Sequence, residues 1–519
     1  MQEVCIVPYN IRRNNQRPGE TAGLFDLHIM EPGIPMDIKD DKVLLSPSEQ
    51  HCMVVGSSGR GKTRRVVYPS VILSARAGHS LIVADPKGEI YRHCSDEIRK
   101  CGLAVRVLNL RNPECGDRWS PLTLVQQYWN SGNRSRAMML LKDIAELLTV
   151  RIISTKDGYW RMGAIDAFLG FSLLLLEKGL LLTFEAVHHM ANEYMNNREV
   201  RNIYVAKLDK DEDSSRRLTT ITSLDTDVTL GCVISTLNSA ITPYVDQQDV
   251  RDLLLGSDDF ELTDIGKRPT AFFVICPDES TAMYPLASMF IAQSYSELVH
   301  FADSGEQNTL PVRVDYVIDE FGSFLGSDWP SKLTAARSRG IRFVLAVQDT
   351  SQIVTRYGDD GAQTIMANCR VLEFLGGRDM RLMALLSGLA GYEPDEHGLD
   401  RPVLPVSVLA SIDMGKAVVL DDSGKPRFGN LPDWTAWGIN TKAELNTKKR
   451  DLLPYKVPYL SEVLETSDSD SGNREELDDD LELTSGDEEQ DHINRLVDAL
   501  VSLSDEIENA PGPTEELPF

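Results

Sequence analysis

The octapeptide GSSGRGKT, Gly56 to Thr63, leaves few folds open to this chain, because it fits G-x-x-x-x-G-K-[ST] with nothing left over. An apolar run, His51 to Val55, stops abruptly before it, and a helical pattern starts at Arg64. The period reads as strand, turn, helix. Glycines let the backbone curl so that successive N–H groups converge on an anion, and the helix N-terminus adds a favourable dipole. Gly56, Ser57, Ser58, Gly59, Arg60, Gly61, Lys62 and Thr63 are therefore the expected nucleotide-binding residues. Lys62 offers a point charge to the β/γ-phosphates, Thr63 offers a hydroxyl to Mg2+, and Arg60 is placed to touch phosphate; Arg64 and Arg65 read as surface or interface residues. A Gly/Ser turn matches this pattern by accident with a probability of roughly 0.02 in a chain of this length. The flanking strand and helix lower that further. The expected ligands are ATP and Mg2+.

The same alternation continues along the chain. Ser80 to Asp85 reads as a buried strand, Glu89 to Cys101 as a helix and Ala104 to Asn109 as a strand. From about Leu122 to Gly256 the strand signal fades and helical patterns dominate, as in 135–148, 160–177 and 184–208. Strands resume at Thr270 to Cys276, Val312 to Ile318, Ile341 to Val347, Cys369 to Leu375 and Ala417 to Leu420, with a helix over 282–301. The fold class is α/β, a mostly parallel sheet covered on both faces. Residues 1–121 hold an N-terminal segment and the first half of the nucleotide domain, 122–256 an all-helical insertion, 257–450 the second half, and 451–519 a linker with an acidic tail.

Charge sharpens that division. The net charge is -26, which argues against a general nucleic-acid-binding surface. From Thr466 to Phe519 there are 18 Asp/Glu and 2 Lys/Arg, so Met1 to Glu465 carries only -10. The tail is expected to be disordered, with Ile493 to Leu503 spaced as a short docking helix. The 8 cysteines include no C-x-x-C pair and suit reduced, buried thiols. Neither a signal peptide nor a spanning helix is read at the N-terminus. The most apolar segment, Ala167 to Val187, is interrupted by Glu177-Lys178, and each charge would cost about 2.5–3.5 kcal/mol mid-bilayer. It reads as a buried helix pair.

A phosphate-binding turn needs an acidic strand end to hold Mg2+ and orient water. VRVDYVIDEFGSF supplies Asp319 for the metal and Glu320 as the base. The strand of RFVLAVQDTSQI ends in Gln348, whose amide can contact the γ-phosphate or the attacking water; a strand-end cap is the alternative. ARSRGIRF carries Arg337, Arg339 and Arg342, one of which can serve a neighbouring subunit as an arginine finger; solvated surface charge is the alternative. DPKGE, Asp85 to Glu89, stands at a sheet edge where ligands sit.

Taken in order, GSSGRGKT, VADPKGE, RWSPL (Arg118 to Leu122), Tyr159-Trp160, TAFFVICPDESTAMYPLASMF, VIDEFGSF, SRGIRFVLAVQDTSQI and MANCRVLEFLGG resemble the TraG/TraD type of coupling protein of conjugative type IV secretion. The resemblance runs from about Cys52 to Leu420. It implies a RecA-like P-loop ATPase, hexameric when active, whose helical insertion faces the relaxosome. Such a motor couples ATP hydrolysis to moving single-stranded DNA, with its attached relaxase, into the secretion channel. It further implies a cytoplasmic chain, peripheral at the inner face of the bacterial cell membrane. Typical members begin with membrane helices; here a separately encoded membrane partner is expected, touching the N-terminal 49 residues. A chromosome-type DNA translocase and a non-hydrolysing, nucleotide-switched recruitment scaffold are the competing readings. RWSPL and DEFGSF favour the coupling family over the first, and Glu320 beside Asp319 counts against the second.

The tail gives a first prediction. A run this acidic repels DNA, so deleting residues 466–519 is expected to leave nucleotide turnover unchanged. If the tail recruits basic relaxosome proteins, the deletion lowers DNA transfer strongly, and binding of the isolated tail weakens steeply with salt. Transfer at the wild-type frequency would reduce the tail to a solubilising segment.

Overall fold

The computed structural model describes residues 32–465 except 40–41, 152–157, 208–211, 223–226, 256–257, 280, 327, 396, 398, 438–441, 445–448 and 451–454. The expected acidic tail and its docking helix lie outside the described residues, as do most of the N-terminal residues expected to touch a membrane partner. A hairpin of β1 (Pro35–Lys39) and β2 (Lys42–Leu45) comes first. The main sheet is built from β3 (Cys52–Val55), β4 (Ser80–Asp85), β5 (Ala104–Asn109), β6 (Thr270–Ile275), β7 (Val314–Ile318), β8 (Ile341–Val347) and β9 (Val371–Phe374). A second hairpin, β10 (Tyr392–Pro394) with β11 (Asp400–Pro402), stands apart, and β12 (Lys416–Leu420) and β13 (Arg427–Asn430) extend the sheet. The order is β13-β12-β9-β3-β8-β7-β4-β6-β5.

β3 to β9 are mutually parallel, and both faces of most of them are buried, which is why they read as mainly apolar runs, with Arg106, Asp315, Arg342 and Glu373 as the charged exceptions inside them. β12 runs antiparallel to β9, and β13 turns back on β12 through a short loop with Gly424 at φ +71°; nothing in the sequence pattern announced β13. Alternate residues serve two cores. Val54, Val83, Phe273, Val344 and Ala346 pack with helices Tyr68–Arg76 and Glu89–Lys100. Met53, Ile82, Phe272 and Leu345 face the other way, into a core continuous with helices Pro121–Asn130, Arg134–Thr149 and Tyr284–Ser304.

Between β5 and β6 no strand occurs among the described residues, only helices. Gly170 lets two of them close up, since a Cβ there would stand 2.4 Å from Leu218 Cγ. The single helix expected over 184–208 is two, Phe184–Asn196 and Arg198–Lys207. Asn197 breaks it: extended at φ -112°, ψ 98°, it uses Oδ1 to accept from the N–H groups of Glu199 and Val200, both at 3.1 Å. The apolar segment divides as expected: helix Gly158–Glu177 ends at Glu177, helix Phe184–Asn196 follows, and Glu177-Lys178 fall at the junction of the pair. By length and composition helices Gly158–Glu177 and Asp227–Val245 are each long and apolar enough to cross a membrane. In the fold, 72% of the first one's apolar stretch is buried against protein.

The amino edge of the sheet is pinned by a buried ion pair. Arg342 on β8 lies opposite Asp315 on β7; Nε and Nη2 donate to its carboxylate at 3.0 and 2.6 Å, and Nη2 also donates to Ser74 Oγ at 2.9 Å. At 2% exposure Arg342 is committed here, so it drops out as an arginine finger. Burial alone would raise the Asp315 pKa, but Arg342 and the nearby His79 outweigh it and hold the carboxyl at about 2. A folded-state value below the unfolded one gives stability that is full above the ordinary carboxylate range and is lost as pH falls toward about 2. Arg342→Ala, which strands Asp315, is expected to cost about 3–5 kcal/mol in urea unfolding at neutral pH. Asp315→Asn should flatten part of the acid limb of the stability curve. An Arg342→Ala protein with the wild-type urea midpoint would refute the assignment.

Candidate active site

Parallel register brings four strand ends to one edge. Val55 of β3 is level with Val347 of β8, and Ile318 of β7 is level with Leu345 of β8 and Ala84 of β4. The GSSGRGKT turn, Gln348, Asp319-Glu320 and DPKGE therefore follow one another along the carboxyl edge, where α/β sheets bind ligands.

The turn is fastened on both flanks. Gly56 N–H donates to Val347 O at 3.1 Å, and Ser57 N–H donates to Gly376 O at 3.1 Å. Gly59 and Gly61 sit at φ +79° and +88°, backbone that a side chain would strain. Among the described residues no acceptor meets the N–H groups of Ser58, Gly59 or Gly61. These unspent donors make a cradle that suits phosphate oxygens. Lys62 Nζ donates to Gly56 O at 2.6 Å, curling over the turn. Burial pulls its pKa down, while Glu320 and Asp319 push it back up in part.

Thr63 Oγ1 donates to Asp319 Oδ2 at 2.8 Å, so a hydroxyl and a carboxylate stand together as a hard-oxygen pair suited to Mg2+. Burial raises the Asp319 pKa, opposed by the Thr63 hydrogen bond and the Lys62 charge. Glu320 is held in left-handed backbone, φ +66°, ψ +48°, unusual for a residue with a long side chain. That conformation turns the chain sharply away from β7. Gln348 Nε2 donates to Glu320 Oε1 at 2.7 Å, so the two expected catalytic groups meet. Sequence reasoning missed Gln352, whose Oε1 accepts from Gln348 N–H at 3.2 Å and occupies the space a side chain at Gly322 would need. It also missed the Gly376 rim. Gly376 lies two residues past β9, and Gln352 lies in the first turn of the helix that follows β8.

The arginines are deployed differently from one another. Arg60 Nη1 donates to Ile412 O at 3.0 Å, turning its side chain to the rim rather than the cradle. Arg64 pairs with Asp433 at 2.8 Å, and Arg65 Nη1 donates to Leu431 O at 2.7 Å, so both clasp the chain after β13. Arg337 is exposed, and Arg339 pairs with Asp303 at 2.8 Å. Both precede β8, at the amino edge, and a strand of seven residues (about 3.3 Å each) separates them from the cradle. Neither can serve this chain's own site. Asp85 of DPKGE is 2% exposed and accepts from Tyr91 N–H at 2.8 Å, fixing the start of the next helix. Its pKa rises to about 7, chiefly through burial. RWSPL is architectural: Trp119 is fully buried against Phe290, and Ser120 caps helix Pro121–Asn130.

A phosphate cradle and an acidic strand end on a mostly parallel sheet mark a P-loop nucleoside triphosphatase of RecA-like fold. The chain belongs to the family described as "Type IV secretory system Conjugative DNA transfer", whose profile matches residues 26–392. Its fold is similar to that of the bacterial conjugative coupling protein TrwB in an unbound form, at TM-score 0.54 and 16% identity over 77% of this chain and 87% of that one. TrwB in complex with a non-hydrolysable GTP analogue matches at TM-score 0.54 and 16% identity, over 77% and 88% of the two chains. TrwB in complex with ADP and Mg2+ matches at TM-score 0.51 and 16% identity, over 78% and 89%. No curated protein matches this chain.

The strained backbone at Glu320 is testable by itself. Glu320→Gly removes a left-handed penalty of about 1–2 kcal/mol and returns up to about 1 kcal/mol of that as unfolded-chain entropy. The variant is therefore expected to be as stable as wild type or up to about 1 kcal/mol more stable in chemical unfolding, despite losing the carboxylate. A clear loss of stability would mean the Gln348 contact, not the strain, dominates there.

Proposed function

We propose that this chain is an ATP-hydrolysing coupling protein that drives single-stranded DNA, with its relaxase, into a type IV secretion channel during conjugation. The observation that carries the reading is the meeting of Lys62-Thr63, Asp319-Glu320 and Gln348 at one carboxyl edge. Family membership supports the transfer role, and the TrwB complex with ADP and Mg2+ supports the choice of ligands.

In this mechanism the cradle N–H groups and Lys62 hold the phosphates. Thr63 and Asp319 hold Mg2+, which supplies charge neutralisation when bound. The Glu320 carboxylate accepts a proton from the attacking water, and Gln348 keeps that carboxylate aimed while contacting the water or the γ-phosphate. Arg337 and Arg339 stand too far from the cradle of their own chain, so they act on a neighbour's site in a ring, proposed to be a homohexamer. Residues 1–121 and 257–450 form the motor, 122–256 act as the inserted helical domain facing the relaxosome, and 451–519 act as a linker and tail. The chain works peripherally at the inner face of the bacterial cell membrane, with a separately encoded membrane partner.

Steady-state ATP turnover, with and without single-stranded DNA, tests the reading. Lys62→Ala is expected to abolish nucleotide binding. Glu320→Gln should keep nucleotide affinity but lower turnover about 10²–10⁴-fold, since only the base is lost. Arg337→Ala or Arg339→Ala should lower turnover without lowering ATP affinity. A Glu320→Gln protein turning over at the wild-type rate would sink the mechanism. A wild-type chain that binds ATP without turning it over would make the protein a nucleotide-switched scaffold instead.

A further inference from the structure

The DPKGE loop begins flush against the acidic strand end, because Asp319 N–H donates to Ala84 O at 3.2 Å. Its shape is fixed from several sides. The buried Asp85 carboxylate accepts from Tyr91 N–H at 2.8 Å, and Gly88, at φ +68°, donates its N–H to Asp85 O at 3.2 Å. Pro86 O accepts from Arg111 Nη2 at 3.2 Å, and Arg111 is itself held by Glu279 at 2.9 Å. Lys87 sits at the tip of this stiff turn, exposed. Its ammonium makes no hydrogen bond or ion pair with a described residue.

An unpartnered cation is conspicuous on a chain of net charge -26, where nearby Arg64 and Arg111 are paired with carboxylates. The position also faces the acidic strand end. β4 lies one strand spacing, about 4.8 Å, from β7, so Lys87 and Lys62 approach the Asp319 end from opposite sides. The Lys87 charge acts on both Lys62 and Asp319. The Asp319 and Glu320 carboxylates already lie by these two cations, and a terminal phosphate there would gain from both ammonium groups.

We propose that Lys87 binds the γ-phosphate of the nucleotide from the side opposite Lys62, so that the site tells a nucleoside triphosphate from a diphosphate. The inference rests on the reading of GSSGRGKT as a nucleotide site. Lys62 and the cradle grip what both nucleotides share, while Lys87, anchored beyond β7, meets only the terminal group. Asp85 is then a positioning residue, holding the turn that aims the lysine.

Equilibrium binding of ADP and of a non-hydrolysable ATP analogue to the full chain, each with Mg2+, tests this apart from turnover. Lys87→Gln is expected to weaken the analogue about tenfold and leave ADP affinity unchanged; Lys87→Arg should restore most of the preference. Because Lys87 is exposed, neither variant should unfold, and unchanged ADP binding verifies that. A Lys87→Gln protein that keeps the wild-type preference for the triphosphate overturns the proposal. If that variant instead shows a shallower salt dependence of single-stranded DNA binding, the lysine serves nucleic-acid phosphate and the γ-phosphate assignment falls. If Lys62→Ala still binds both nucleotides normally, the fault lies with the nucleotide-site reading and not with Lys87.

Discussion

The hydrogen bond from Thr63 to Asp319 spans 256 residues of chain, and nothing local enforces it. It exists because β3, β8 and β7 run parallel in fixed register, with the β7 end two residues short of the other two. A sheet buried on both faces tolerates no slip, since moving one strand by a single residue would turn its whole buried set to the other face. The two apolar cores thus do more than stabilise the chain. They set the spacing between a hydroxyl, a carboxylate and an amide to within a hydrogen bond's length.

That precision is bought with strain and with buried charge. Glu320 occupies left-handed backbone, Lys62 loses much of its hydration, and Asp319 is pushed toward its neutral form. Each arrangement is unfavourable by itself, the pattern expected where function opposes stability. The cradle needs outside support for the same reason. Arg60, Arg64 and Arg65 tie it and its helix to Ile412, Asp433 and Leu431, so the last strands of the sheet act as a wall for a turn made far earlier in the sequence. Trp434 completes that wall, packing on Tyr68 and His93.

The helices between β5 and β6 share a continuous core with one face of the sheet. A rearrangement at the nucleotide edge can therefore reach them through packed side chains. Phe321, next to Glu320, packs on Trp329 of helix Trp329–Ala336, and Trp329 and Lys332 line a cavity together with Asp143 and Leu147 of helix Arg134–Thr149. The same core explains why helix Gly158–Glu177 has membrane-like composition: its apolar residues, except a few near its start, face protein rather than solvent.

Much of this was legible in the sequence, where a local rule was in force. Strands β3 to β9 were readable because strands buried on both faces are mainly apolar runs, and the cradle because its glycines and lysine have fixed spacing. Asp319, Glu320 and Gln348 could be picked out as strand-end residues of the right chemistry. What stayed hidden depends on contacts between distant segments. The break at Asn197 is a cap competing with helical period, β13 is a strand only because β12 offers it an edge, and Gln352 matters only through what it touches. The arginines make the distinction plain. Arg337, Arg339 and Arg342 look alike within six residues of sequence. Only the sheet buries Arg342 against Asp315 and leaves Arg337 outside, because burial is a property of neighbours that the chain's own order does not contain.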